Sequence, residues 1–332
     1  MDEIITLDYG SGGKKTSRLI EQLILPGFEN PALSELGDGA LIPGSGTLAF
    51  STDSFVVDPI VFPGGDIGKL AVCGTVNDIA MCGAEPKYLS CALIIEEGLE
   101  LKTLEGVLRS MSEAAKAAGV QIVTGDTKVV DRGRGDKLYI NTAGIGYQKY
   151  RLPGLDAVRP GDVVLVSGTV GDHGTAVMLA RSGMMDGEIR SDCAALHRLA
   201  EAMLSSGAAV RILRDPTRGG LATTLNEFTE GRPFGIELQD AAIPVRPEVQ
   251  AACDMLGLEP VYCANEGKMV CICAAEDAED LLETMRKLPE GENAAIIGHV
   301  TEDAAGRVVM RTGLGGRRIL QKLAGAQLPR IC

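Results

Sequence analysis

Twice along the chain, short runs rich in valine and isoleucine alternate with amphipathic helical stretches, and one proline- and glycine-marked segment, Arg151–Gly161, separates the two series. Such alternation restricts a chain to layered α/β or α+β folds, in which each sheet buries a face against helices. In the first series the strand candidates are Leu48–Val57, Tyr88–Glu96, Val120–Thr124 and Leu138–Tyr147, with helices over Ile67–Cys82 and Leu101–Ala118. The last of these is the clearest. Leu101, Leu104, Leu108, Met111 and Ala115 recur at helical spacing, and Gly119 can cap the end. The second series has strands at Asp162–Ser167, Gly235–Leu238, Met269–Ala274, Ala294–His299 and Arg307–Arg311. Its helices are Gly174–Arg181, Ala194–Ser205, Thr217–Glu230, Pro247–Leu256 and Ala278–Leu288. Three parts follow: residues 1–150, residues 151–315, and a tail over residues 316–332 that lacks periodicity and reads as a mobile arm ending in Cys332.

A chain of 332 residues has apolar surface for two cores. Its 32 basic and 45 acidic residues leave a formal charge of −13, which repels nucleic-acid phosphates. No apolar run is long enough to span a bilayer and Met1–Asp8 carries no signal pattern, so the expectation is a soluble, cytoplasmic protein. The cysteines number nine, an odd count that argues against a disulfide framework. Cys73, Cys82, Cys91, Cys271 and Cys273 lie in apolar stretches and read as small buried hydrophobes. The histidines lie far from them in sequence, which leaves a zinc site poorly supported.

Several motifs carry possible chemistry. Gly10-Ser11-Gly12-Gly13-Lys14-Lys15-Thr16 invites comparison with a phosphate-binding P-loop but fails on spacing, since Asp8 stands where the first glycine belongs and Lys15 follows Lys14. A loop that closes over a ligand and a plain turn are equally good readings. Asp38, Asp53, Asp78 and Asp126 each sit beside apolar sequence, where an unpaired charge is costly. Magnesium, which takes carboxylate oxygens and bridges phosphates, accounts for such a set; caps and turns account for its members singly, Asp126 best and the mid-helix Asp78 least. Asp215-Pro216-Thr217-Arg218-Gly219-Gly220 opens a helix, and reads equally as an anion site or as a capped helix. Asp172-His173-Gly174 resembles part of a triad, but there is no GxSxG elbow, and a turn with an incidental histidine is the favoured reading. Glu266, in Asn265-Glu266-Gly267-Lys268, could be a general base tuned by burial, but by residue type alone a turn before a strand is the favoured reading. Cys332 is no prenylation site, because Pro329 stands four from the end. A terminal thiol has little packing role, and suits a carrier of a small group better than a fast nucleophile.

Together, Gly10–Gly13, Thr52-Asp53-Ser54, Asn77–Ala84, Gly125-Asp126-Thr127-Lys128-Val129, Asp215–Gly220, Asn265–Lys268 and the closing Pro329-Arg330-Ile331-Cys332 resemble the HypE family of nickel–iron hydrogenase maturation factors. The resemblance runs over nearly the whole chain, and the closing tetrapeptide is its most specific part. It implies a two-domain AIR synthetase (PurM)-like fold, with N-terminal domains pairing into a β-barrel in a homodimer and ATP near that interface. It implies Mg2+ and ATP as cofactors: Asp38, Asp53, Asp78 and Asp126 for the metal; Gly10, Gly12, Gly13, Thr52, Lys69, Asn77, Gly125 and Thr127 for the nucleotide. The implied reaction is the ATP-dependent dehydration of a carbamoyl group on Cys332, placed there by HypF, to a thiocyanate whose cyanide passes to the HypC–HypD complex. Glu266 is then the base, and Lys128 stabilises charge or relays a proton. Two other readings stay open: a small-molecule kinase or synthetase of the wider superfamily, and a non-catalytic maturation scaffold.

Overall fold

The computed structural model describes residues 4–6, 19–30, 44–184, 189–322 and 330–332. In the first domain β1 (Leu48–Phe55), β4 (Ala84–Glu96), β5 (Gln121–Val130) and β6 (Leu138–Gln148) form a four-stranded sheet in the order β1-β6-β4-β5. A two-stranded ribbon, β2 (Val61–Phe62) with β3 (Gly65–Asp66), precedes α1 (Ile67–Met81). Asp66 caps α1 by accepting from the Gly68 and Lys69 amides at 2.8 and 3.0 Å. Nearly every residue of α1 is buried, because the helix lies between the sheet and α2 (Leu101–Ala118). Unlike α1, α2 has a clean apolar stripe, formed by the residues that the periodicity marks, and Gly119 ends it in the left-handed conformation.

The second domain is a seven-stranded sheet in the order β13-β12-β9-β11-β7-β10-β8. Its strands are β7 (Val163–Val166), β8 (Val210–Arg214), β9 (Gly235–Gln239), β10 (Val270–Cys273), β11 (Ala295–Thr301), β12 (Val308–Arg311) and β13 (Arg317–Leu320). Pairing is antiparallel throughout except between β9 and β12. The helices are α3 (Asp172–Ser182), α4 (His197–Ser205), α5 (Gly220–Thr229), α6 (Pro247–Leu256) and α7 (Ala278–Arg286).

Four differences from the sequence reading have local causes. Arg317–Leu320, read as tail, is an edge strand: the turn Thr312–Gly316 folds it back on β12, and its arginines conceal the apolar alternation. Asp126 lies within β5 rather than after a strand, because β5 stays paired with β4 as far as Val130 while its other edge faces outward. Helix α4 starts at His197, since the Asn77 side chain holds residues 194–196 in a loop. Helix α5 starts at Gly220, because Gly219 and Gly220 both have positive φ and a Cβ on Gly220 would meet the Cys263 and Val261 carbonyls at 2.5 and 2.7 Å.

Candidate active site

The end of the chain that reads as a mobile arm is docked. Arg330–Cys332 run antiparallel to the segment that follows β1: the Val56 amide donates to the Cys332 carbonyl and the Asp58 amide to the Arg330 carbonyl, both at 3.2 Å. This is strand addition by the chain's own terminus. Arg181 Nη2 donates to the Arg330 carbonyl at 2.6 Å, and the Arg330 guanidinium reaches Asp136 at 2.8 Å and Asp58 at 3.4 Å. The Ile331 side chain is 3% exposed and belongs to the first domain's core, beside Cys193 and Ala264. This contact brings Cys332 between the two domains.

There the Cys332 thiol lies near the Glu266 carboxyl, close enough that each shifts the other's titration. Glu266 is buried, and among the described residues its Oε1 has no hydrogen-bond partner. Its backbone is clamped: the Glu266 amide donates to Asp192 Oδ1 at 3.0 Å, and the Ala194 amide donates to the Glu266 carbonyl at 3.3 Å. Gly267 is required beside it, since a Cβ there would lie 1.9 Å from the Asp192 carbonyl oxygen. Burial, then the charges of Asp215, Asp192 and Asp53, push the Glu266 carboxyl well above the usual carboxylate range. Burial, then the Glu266 charge, raise the Cys332 thiol as well, with Arg218 opposing, so the thiol stays protonated at neutral pH.

Three more carboxylates share this field. Asp53 on β1 is raised by burial and then by Asp78, with Arg218 opposing. Asp78 on α1 is raised by burial and opposed by the Ser51 hydroxyl, which donates to it at 2.6 Å, and by Arg214 and Arg218. Asp215, just after β8, is pushed up to about 7 by burial and then by Asp78. An open cavity of about 520 Å³ lies elsewhere on the first domain, over Pro59–Val61 and Glu96–Glu100. A second cavity, of about 500 Å³, opens beside Asp78, Arg214 and Asp215 and offers ligand space next to the carboxylates.

The other sequence candidates are spread more widely. Asp126 and Lys128 pair with each other at 2.6 and 2.7 Å on β5, 61% and 63% exposed. Asp53, Thr142, Cys91 and Gly125 occupy one row across the sheet, so Asp126 lies in the next row, level with Ser54, on the opposite edge strand. Three strand spacings separate those edges, about 14 Å. Thr52 on β1 donates to the Thr142 carbonyl, and the Thr127 amide donates to Asp126. Lys69 Nζ donates to the Gly64 carbonyl at 3.2 Å. Asn77 acts as an interdomain clip: its Nδ2 donates to the Ala194 and Glu266 carbonyls, and its Oδ1 accepts from the Leu196 amide at 2.7 Å. Gly10, Gly12, Gly13 and Asp38 lie outside the described residues.

Residue-by-residue reading missed three participants. His173, read as incidental to a turn, is fully buried at the start of α3 and bonds to the tail. Arg218 was legible only as part of a possible anion site, and Asp192 had no signal at all. Two of the cysteines read as buried are otherwise placed, with Cys82 exposed and Cys91 half-buried.

Comparison with known proteins converges on one family. Residues 36–148 match the N-terminal domain of AIR synthase related proteins, and residues 159–311 match the C-terminal domain. The carbamoyl dehydratase HypE of Cupriavidus necator is 50% identical over 333 residues, covering 99% of this chain and 95% of the relative. The chain belongs to the HypE family. A HypE crystal structure in complex with ATP superimposes with a TM-score of 0.94 at 51% identity, covering 98% of this chain and 99% of that one. HypE in a HypE–HypF complex superimposes with a TM-score of 0.80 at 45% identity, covering 92% and 99%. The fold is therefore the two-domain, PurM-like α/β fold that the resemblance implies, and the chain is a member of a hydrogenase maturation family. Among the described residues no helix is long and apolar enough to cross a membrane.

Proposed function

We propose that this HypE-family chain uses ATP to dehydrate a carbamoyl group carried on Cys332, leaving a thiocyanate for the iron of a nickel–iron hydrogenase. The observation that carries this reading is a docked tail, held by the Val56 and Asp58 amides, that brings the Cys332 thiol beside a buried carboxyl, Glu266. A thiol deep in an acidic, partly apolar pocket is a poor nucleophile, and it suits the role of anchor for the group that reacts. Tethering also presents that group to the site at high effective concentration.

Loss of water from a carboxamide needs a better leaving group than oxide. Transfer of the γ-phosphoryl group of ATP to the carboxamide oxygen supplies one; the C–O bond then breaks with release of phosphate, and both N–H protons depart as C≡N forms. Burial and neighbouring charge make the Glu266 carboxylate a stronger base, which takes a proton in this scheme once it is ionised. Arg218 and Arg214 face the carboxylates and can steady charge on the phosphates. Asp53 and Asp78 fit a magnesium ion in kind, since they are half-buried oxygen donors whose charges oppose each other, and such an ion would offset phosphate charge. Among the described residues no three His, Cys, Asp or Glu side chains converge on one point.

The sheet supplies a reason for a dimer. Phe50, Leu48 and Ile94 are 68%, 49% and 42% exposed on the first domain. Pairing with a second copy, edge β1 to edge β5, closes two four-stranded sheets into a barrel, covers apolar surface and leaves no free edge. The same closure would carry Asp126 and Lys128 of one copy towards strand β1 of the other, which bears Asp53. HypF as carbamoyl donor and the HypC–HypD complex as acceptor complete the scheme; the solved HypE–HypF assembly of a relative supports the first.

The test is Cys332→Ala, supplied with ATP, carbamoyl phosphate and HypF. Phosphate release that depends on the carbamoyl group should vanish while ATP binding persists. Turnover at the original rate in this variant, or in a chain lacking its last four residues, would return the protein to the kinases and synthetases of its superfamily.

A further inference from the structure

His173 takes no part in the chemistry above, yet its surroundings are fully specified. The ring is buried at the start of α3, edge-on to Phe62 with centroids 5.4 Å apart. Its Nε2 lies 2.8 Å from the Ile331 carbonyl oxygen. A carbonyl only accepts, so Nε2 carries the hydrogen. Its Nδ1 lies 2.8 Å from Ser191 Oγ. Burial lowers the imidazole's pKa and keeps the ring neutral, so Nδ1 accepts the serine proton. Ser191 Oγ accepts in turn from the Cys193 amide at 3.1 Å, and the Ser191 amide donates to the Pro63 carbonyl at 2.8 Å. One tautomer satisfies every partner.

A buried histidine that serves only the core finds both partners in the core. Here one partner is the tail, which must leave to be loaded and unloaded. Among the described residues, the side chains that donate to the tail's backbone are His173 and Arg181, and the Arg181 contact is exposed. We propose that His173, held in one tautomer by Ser191, is the latch that keeps the C-terminal tail in its cradle with Cys332 against Glu266. It is a positioning residue, and its consequence for turnover rests on the dehydratase reading. Asp192, next to Ser191, holds the Glu266 amide, so the loop that sets the latch also seats the base.

The test is the rate at which iodoacetamide alkylates Cys332 in the full-length, unmodified protein, read by mass spectrometry of the peptide that ends there. It needs no ATP, carbamoyl group or partner. His173→Ala and His173→Phe are expected to raise the rate about five- to tenfold, the effect of losing one buried hydrogen bond. His173→Gln, whose amide can donate to the Ile331 carbonyl, should restore much of the protection, and Ser191→Ala should act in the same direction as alanine but less. Cys271, fully buried, reports an intact fold by staying unlabelled. If Cys271 becomes labelled in the alanine or phenylalanine variant, His173→Gln and Ser191→Ala decide. An unchanged Cys332 rate with Cys271 protected overturns the latch, and so does acceleration in His173→Gln equal to that in His173→Ala. Faster alkylation in His173→Ala, together with a wild-type protein that never dehydrates its carbamoylated tail, keeps the latch and ends the dehydratase reading.

Discussion

Replacing Glu266 with glutamine keeps the side chain's shape and removes its titration. A positioned general base contributes about 10²–10⁴ in rate. Carbamoyl-dependent phosphate release should fall by about that factor in Glu266→Gln, with ATP affinity unchanged. The same substitution has a stability signature of fixed sign. Burial and neighbouring carboxylates raise the folded-state pKa of Glu266 above its unfolded value. The folded state therefore holds the proton longer, so the associated stability is fully present below the unfolded pKa and is lost as pH rises towards the folded one. Each pKa unit between the two is worth about 1.4 kcal/mol. Glutamine has no proton to lose. The variant should equal the parent near about pH 4 and become progressively more stable than it at higher pH. Urea unfolding across that range measures the gap, and carbamoyl-dependent phosphate release measures the rate. A variant that turns over normally, or whose stability advantage fails to widen with pH, refutes the assignment of Glu266 as a buried, proton-holding base.

Asn77→Ala removes the interdomain clip and leaves buried amide and carbonyl groups unmet, at a cost of about 2–4 kcal/mol in urea unfolding; a change below about 0.5 kcal/mol would mean that the clip is redundant. Lys128→Ala breaks an exposed ion pair, so stability should shift by less than about 1 kcal/mol while dehydration slows sharply. An unaffected rate would remove Lys128 from the mechanism. Phe50→Asp places a charge on the exposed sheet face and should shift the protein to monomers in sedimentation, with loss of activity; an unaltered mass would locate any dimer contact elsewhere.

The first domain was largely legible because its periodicities are strong. Leu101–Ala118 shows a single apolar stripe, and its observed bounds are those expected. The second sheet was less legible at its margins. Val210–Arg214 and Arg317–Leu320 are short strands with arginines among their apolar residues, and neither stands out from loop sequence. For the site, Cys332, Glu266, Asp53 and Asp78 were singled out by the family resemblance more than by residue type, and each of the four feels the charge of another. His173 and Asp192 did not, because their roles come from contacts with Ile331 and Glu266 across 158 and 74 residues of chain. Linear patterns encode local periodicity, and such long-range pairings leave no mark in them. Asp126 and Lys128 show the opposite limit: their motif is conspicuous, yet one chain alone leaves them on the far edge of the sheet.

The central claim is that a group on Cys332 reacts in the pocket around Glu266. Its most direct measurement is the mass of the C-terminal peptide after incubation with carbamoyl phosphate, ATP and HypF. The account predicts a carbamoyl adduct that loses one water in the parent protein and persists unchanged in Glu266→Gln. An adduct that never loses water in the parent, or that loses it equally in both proteins, contradicts the account.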